Sequence, residues 1–352
     1  MLPEYKMTDH LPHTRTSIII PARNEEANIG NVLTDLVQQN FPGELFEIIV
    51  VDDFSEDRTA ELVSSFQSGQ IRLIRLKEFL SNEQSVFSYK KKALEAGIEN
   101  ADGDLIITTD ADCRMNSRWL RTMVNFYEKQ QCHMVVAPVL VKEETNFLSK
   151  FQALDLIGLT GITGATLHLN FPTMCNGANL AFTKNSFYEV NGYEGISEKT
   201  SGDDMLLMHK IARRWNGGVL FLKNPDAIVF TKPQPNFSSF FRQRMRWTSK
   251  SKAYEDRKII FNLLVILLFN ISIIFSLAIS LFDHRFFLLF LASFAIKTIM
   301  DFVFLAQVTK YFHRKELLWL FLPAEIIHVF YIVIKGIAGN FFTVSWKGRI
   351  VK

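Results

Sequence analysis

From Ile259 to Phe282 the chain carries no charged residue, a run of about 24 positions that as a helix would cross a hydrocarbon core. A helix apolar on every side belongs either in a large core or in a bilayer, and two further apolar stretches downstream favour the bilayer. Phe286 to Val308 is equally long but contains Lys297 and Asp301. Spaced four apart, these two can meet on one helix face, which lowers the cost of holding both at membrane depth. A third apolar stretch, Leu317 to Ile334, is shorter and holds Pro323, Glu325 and His328; it is expected either to span or to bend back.

Before Lys258 charged and apolar residues alternate as in a soluble domain. The expected division is therefore a tail at 1–16, a soluble domain at 17–258, a membrane domain at 259–338 with segments 259–282, 286–308 and 317–334, and a basic interfacial tail at 339–352. Lys250, Lys252, Arg257 and Lys258 precede the first segment, and Lys310, Arg314 and Lys315 follow the second. Cations beside span ends favour the cytoplasmic side, so the soluble domain is expected in the cytoplasm. Lys347, Arg349 and Lys352 would emerge on the other side if the third segment crosses, whereas an interfacial third segment anchored by Trp346 would keep them inside. Residues before Ser17 lack the apolar core of a secretory signal. The net charge of +3 shows no concentrated basic face for nucleic acid. Cys113, Cys132 and Cys175 are scattered, with no metal-ligand spacing, and read as reduced thiols.

In the first half, strand-like and helix-like segments take turns. Ile18 to Ile20, Phe46 to Val51, Ile71 to Leu76, Leu105 to Thr109 and Met134 to Val139 read as strands. Glu25 to Gln38, Asp57 to Phe66, Tyr89 to Glu99 and Arg118 to Gln130 read as helices. This alternation predicts an α/β fold, Rossmann-like, with a mostly parallel sheet covered on both faces. Leu156 to Phe171, rich in Gly and Thr, is too short for a span and is expected at the membrane surface or in an acceptor site. Pro233 to Phe241 reads as a loop. Carboxylates follow three of the strands: Glu25 after the first, Asp52 and Asp53 after the second, and Asp110-Ala111-Asp112 after the fourth. In an open parallel sheet the strand ends face one crevice, where ligands bind. An Asp-x-Asp pair offers oxygen donors to a hard cation while water and phosphate oxygens complete its shell. Asp203-Asp204 opens a helical pattern, and Gln243-Arg244-Met245-Arg246-Trp247 sets cations beside an indole.

Taken in order, Pro21-Ala22-Arg23-Asn24-Glu25, Val51 to Asp57, Asp110-Ala111-Asp112, Asp203-Asp204 and Gln243-x-x-Arg246-Trp247 resemble the motifs of inverting, nucleotide-sugar-dependent glycosyltransferases of family 2, from about Ser17 to Trp247. The resemblance implies a GT-A nucleotide-sugar-binding domain and a hexosyltransferase-type activity. It also implies a role for each motif. Pro21, Ala22 and Glu25 line the nucleotide pocket, Asp53 accepts a hydrogen bond from the base, and Asp110 ligates the metal or holds the ribose. Asp112 is the metal ligand, for Mg2+ or Mn2+. Lys90 opens Lys90-x-x-Ala93-Leu94-x-x-Gly97, similar to a family helix start, and can reach a phosphate as a point charge. Asp204 is the general base with Asp203 beside it, and Arg246 faces the diphosphate. Gly177, Asn179, Gln243 and Trp247 are assigned to the donor sugar or acceptor, with interfacial anchoring as the other reading of Trp247. The chain departs from the family in having Asp-Asp where Glu-Asp is usual, and Thr183-Lys184 where two arginines often stand.

The function expected is transfer of a sugar from a nucleoside-diphosphate sugar, most simply a UDP-sugar, to a lipid or lipid-linked acceptor at the cytoplasmic face. A processive polysaccharide synthase is the nearest alternative, though such chains usually carry membrane helices ahead of the catalytic domain. A nucleotidyltransferase would be expected to show a glycine-rich phosphate loop after the first strand, and Pro21 to Asn28 contains no glycine. A non-catalytic membrane scaffold is the third reading.

Overall fold

The computed structural model describes residues 2–7, 10–80, 88–142, 144–196, 202–249, 254, 256–338, 344–346 and 349–351. It divides into two compact units, Met1–Lys142 with Ile162–Lys232, and Glu143–Gly161 with Pro233–Lys352. The flanking cations Lys250, Lys252, Lys347 and Lys352 lie outside the described residues.

The first unit is built on a seven-stranded sheet. Its strands are β1 (Thr16–Ala22), β2 (Phe46–Asp52), β3 (Ile71–Arg75), β4 (Leu105–Thr108), β6 (Met134–Val136), β8 (Leu180–Thr183) and β9 (Val219–Phe221), in the order β3-β2-β1-β4-β8-β6-β9. β1 pairs in parallel with β2 (Ala22 opposite Asp52) and with β4 (Thr16 opposite Leu105). The sheet is mostly parallel as expected, but β8 runs antiparallel between β4 and β6. The segment read as one strand, Met134 to Val139, is two. β6 ends at Val136, and β7 (Val139–Val141) joins β5 (Arg114–Met115) and β10 (Val229–Thr231) in a small second sheet. Pro138 between β6 and β7 cannot donate to a ladder, which is reason for a strand to break there.

Ile18, Ile19, Ile20, Ile48, Ile49, Val50, Val51, Leu105, Ile106 and Ile107 are fully buried, as strands covered on both faces require. The covering helices are α1 (Ile29–Val37), α2 (Thr59–Ser65), α3 (Tyr89–Glu99) and α4 (Trp119–Gln130). α1 turns Ile29, Val32, Leu33 and Leu36 inward, the spacing of one helix face. α3 approaches β1 so closely that a Cβ at Gly97 would lie 2.6 Å from the Ile19 methyl Cγ2. The glycine that closes the lysine-headed motif is therefore a packing requirement.

α5 (Phe147–His168) starts well before the stretch Leu156 to Phe171 in which the sequence suggested a membrane-surface segment, and it passes from one unit to the other. α6 (Lys184–Glu189) and α7 (Asp203–Arg214) complete the first unit's helices.

The second unit holds α8 (Phe237–Ser249), α9 (Arg257–Ile279), α10 (Arg285–Tyr311) and α11 (Phe321–Ala338). α8 begins inside the segment expected as a loop, leaving Phe237, Phe240 and Phe241 helical. Three helical segments, Arg257–Ile279, Arg285–Tyr311 and Lys315–Ile337, are long and apolar enough to cross a membrane; in the third, a 3₁₀ turn at Lys315–Leu320 runs straight into α11. Lys297 on α10 meets Asp301 at 2.7 Å, as its spacing suggested, and also bonds Glu325 of α11. Within the expected interfacial tail, β11 (Val344–Trp346) pairs with β12 (Arg349–Val351) as an antiparallel ribbon.

Candidate active site

The chain switches from one side of β1 to the other between β3 and β4. β1, β2 and β3 follow one another outward on one side, and β4 then joins the other side of β1. The crevice outside the carboxyl ends of the strands at such a switch is the usual ligand site of open α/β sheets. Pro21 and Ala22 end β1, Asp52 ends β2, and Asp110 lies just past β4, so these motif residues share one edge.

The loops after β1 and β2 are tied into one structure. The Arg23 guanidinium is buried and donates to the Asp53 and Phe54 carbonyls at 2.9 and 2.7 Å. Asn24 takes a left-handed conformation, φ 50°, a region that Asn tolerates better than most residues. Its backbone N–H donates to Ser55 Oγ at 3.0 Å while its side-chain oxygen accepts from the Glu56 N–H at 2.8 Å. Glu25 receives the Asn28 amide at 2.8 Å and donates its N–H to Thr59 Oγ1 at 2.7 Å. Burial disfavours the Asp57 carboxylate, but hydrogen bonds from Thr59 and the Glu26 N–H outweigh it and lower its pKa. Asp53 is 2% exposed, with its N–H on the Ala22 carbonyl at 2.8 Å. Arg23, a motif residue with no role assigned from the sequence, thus braces the loops that carry Glu25 and Asp53.

Lys90 opens α3 and lies 2.9 Å from Asp110 Oδ1 and 3.8 Å from Asp203 Oδ2. Burial weakens its charge, yet Asp110, Asp203 and Asp204 prevail and hold the ammonium above its ordinary pKa. The three successive lysines have separate partners. Lys91 is buried and donates to the Ile196 carbonyl, and Lys92 pairs with Glu95 at 2.7 Å. A charge held by neighbouring carboxylates persists below the ordinary lysine pKa and is lost only above the raised one. The difference in nucleotide binding between the native chain and Lys90→Gln is therefore expected to stay constant from about pH 6 to 10; titrations of nucleoside diphosphate at several pH values check this.

Asp203 and Asp204 form the first turn of α7, after Gly202 at φ 91°, where the helix dipole favours negative charge. Asp204 accepts the Gly177 N–H at 3.1 Å and the Met205 N–H at 2.8 Å, and it is partly exposed while Asp203 is buried. Gly177 in turn gives its carbonyl to Thr108 Oγ1 at 2.7 Å, which joins the end of β4 to the head of α7. Tyr193 is buried, and burial followed by Asp203 and Asp204 raises its pKa. A Cβ at Gly177 would stand 3.3 Å from Asp204 Cβ, a tight contact that Asp204 would have to relieve by moving a few tenths of an ångström. Gly177→Ala is expected to displace Asp204 and lower turnover by about 10-fold or more, with donor affinity less affected; initial rates over a donor series check it.

Asn179, assigned by the sequence to a sugar contact, has another role. It is fully buried, its amide donates to the Pro138 and Ala227 carbonyls at 2.7 and 2.8 Å, and its oxygen accepts the Trp119 indole at 3.0 Å. It anchors the loop that carries Gly177.

Asp110 and Asp112 are both partly exposed. Asp110, Asp203 and Asp204 put three carboxylates around Lys90, and Asp110 with Asp112 offers the oxygen donors that a hard divalent cation takes. Cys113, against Asp112 Oδ1 at 3.8 Å, is buried, and burial followed by Asp112 and Asp110 pushes its thiol pKa up; it is poorly suited to be a thiolate ligand.

Gln243, Arg246 and Trp247 lie on α8 in the second unit. There the intervening Arg244, not singled out by the motif, forms a buried ion pair with Asp155 at 2.7 Å and sits over the Trp247 ring at 4.1 Å. Trp247 is thus a platform for Arg244, three residues before it on the same helix face.

Residues 17–184 match the family model for glycosyl transferase family 2, and residues 105–334 match that for glycosyl transferase family group 2. A probable glycosyltransferase of Bacillus subtilis, YdaM, is 25% identical over 252 residues, covering 66% of this chain and 54% of its own length. The beta-monoglucosyldiacylglycerol synthase of a Synechocystis species is 26% identical over 247 residues, 67% of this chain and 48% of its own length. The chain spans about half the length of these relatives. Among solved structures, a mannosyltransferase from Pyrobaculum calidifontis in complex with GDP-Man and Mn2+ has the same fold, with a TM-score of 0.55 at 16% identity over 95% of this chain and 88% of that one.

Proposed function

We propose, from the premise that this chain belongs to glycosyl transferase family 2, that it moves one sugar from a nucleoside-diphosphate donor, a UDP-sugar, to a lipid acceptor at the cytoplasmic surface of a membrane. The observation that carries the reading is the gathering of Asp110, Asp203 and Asp204 around Lys90 at the ligand edge of the sheet, in a chain with three span-length apolar segments. The glucosyldiacylglycerol relative supports a lipid acceptor. Arg257, Lys258, Lys310, Arg314 and Lys315 beside the apolar segments support a cytoplasmic catalytic domain.

In this reading Pro21, Ala22 and Glu25 border the nucleotide and Asp53 receives the base. Asp204 takes the proton from the acceptor hydroxyl as it attacks the anomeric carbon from the face opposite the leaving group, so the configuration inverts. The two backbone N–H groups on Asp204 hold it in one orientation for that transfer. Lys90 offers positive charge to the diphosphate. Asp110 and Asp112 are the donors for Mg2+ or Mn2+, which when bound supplies charge to stabilise the departing diphosphate.

The test is a panel of nucleotide sugars given to membranes carrying the chain, with and without lipid extract and chelator. One UDP-sugar is expected to release UDP and label the lipid fraction only when divalent metal is present. Failure of every nucleotide sugar to turn over, or chelator-insensitive turnover, would count against the proposal.

A further inference from the structure

A second group of metal-type side chains lies apart from the acidic site, in the first unit. His10 Nε2 is 3.3 Å from Glu128 Oε2, and His13 Nδ1 is 3.3 Å from Glu128 Oε1. One ligand atom from each of the three residues lies within 4.8 Å of the others, and the two imidazole rings pack edge to face with centroids 5.7 Å apart. The histidines are 55% and 72% exposed while the Glu128 side chain is only 3% exposed.

The two oxygens of Glu128 are used unequally. Oε1 accepts the His13 N–H, the Thr14 N–H and the Thr14 hydroxyl, each at 2.8 Å. Oε2 is buried and has no hydrogen-bond partner among the described residues; His10 is the group that faces it. Leaving a buried carboxylate oxygen unbonded is costly, and a cation between it and the imidazoles would remove that cost. His10 Nε2 stands 3.3 Å from that oxygen, and the His13 ring offers its nitrogen within 4.8 Å of the other two ligand atoms. Ligands about 2.0–2.1 Å from a tetrahedral ion are separated by about 3.3 Å.

We propose that His10, His13 and Glu128 form a binding site for a borderline divalent cation of the zinc type, separate from the oxygen-only Asp110-x-Asp112 pair. Two imidazoles and one carboxylate select Zn2+ and its neighbours over Mg2+. The exposed histidines leave the ion a path in, and solvent fills the fourth position. The N-terminal segment already follows α4: Tyr5 packs on Phe126 with ring centroids 5.0 Å apart, and the Asn125 amide donates to the His10 carbonyl at 3.3 Å. Bound metal would clasp that segment to α4 and stabilise the unit by mass action.

The test is calorimetric titration of Zn2+ into the full chain without an affinity tag, in detergent and excess Mg2+, beside the double variant His10→Ala with His13→Ala. That pair leaves the backbone N–H bonds to Glu128 in place. The native chain is expected to bind one equivalent that is lost or weakened in the variant by at least the about 10–100-fold typical of losing an outer partner. Hydrogen exchange in residues 10–14 should slow with Zn2+ in the native chain alone. Absence of binding, or equal binding by both proteins, would overturn the proposal.

Discussion

Asp204→Asn is expected to lower sugar transfer by about 10²–10⁴-fold, the usual contribution of a positioned general base, while donor affinity stays near that of the native chain. Asparagine keeps the size of the side chain and an oxygen able to accept the Gly177 or Met205 N–H groups, which lie at 3.1 and 2.8 Å in the native site. The variant loses the capacity to accept a proton. A fall in turnover with unchanged donor binding therefore separates base chemistry from collapse of the loop. Asp203→Asn is expected to act differently. That carboxylate is buried and 3.8 Å from Lys90, so its loss unbalances the charge on the lysine and changes donor affinity together with rate. Initial rates and donor titrations on both variants distinguish the two. Native turnover by Asp204→Asn would remove Asp204 from the mechanism.

The largest effect on stability is expected at Asp155. Its carboxylate and the Arg244 guanidinium are 5% and 4% exposed and 2.7 Å apart, with the guanidinium also over the Trp247 and Phe240 rings at 4.1 and 5.0 Å. Asp155→Ala leaves that guanidinium buried without its counter-charge, a change that costs about 3–5 kcal/mol. Replacing both partners, Asp155→Leu with Arg244→Met, is expected to recover most of the loss, because apolar substitutes for a buried pair are often neutral. Thermal unfolding in detergent should rank the native chain and double variant close together, with Asp155→Ala well below. If the single and double variants unfold together, the stabilising role of the pair is wrong.

The ends of β1, β2 and β4 were legible in the sequence because each is an uninterrupted apolar run closed by Pro, Asp or Thr-Asp, and the structure keeps those boundaries within a residue or two. The division between mixed and apolar composition likewise marked the three span-length helices. Pairing at a distance is not encoded in local pattern. The antiparallel β8, only Leu180–Thr183, has no signature of its direction. Nor could periodicity distinguish Lys90 from Lys91 and Lys92, since the partners of Lys90 and Lys91 lie on other elements. Glu325 was visible as a charge in an apolar run, but its meeting with Lys297 depends on how α10 and α11 pack. Asn179 was read as a ligand contact for its neighbourhood to Gly177, whereas its bonds to Pro138, Ala227 and Trp119 come from three separate segments.

The central claim is that the carboxylates after β4 and at the head of α7 serve one metal-assisted nucleotide site, with separate duties. Calorimetric titration of UDP into the native chain, Asp112→Ala and Asp204→Asn, each with and without Mn2+, tests it most directly. The account expects tight, Mn2+-dependent binding by the native chain and by Asp204→Asn, and loss of the Mn2+ dependence in Asp112→Ala. Unaltered Mn2+-dependent binding by Asp112→Ala would contradict it.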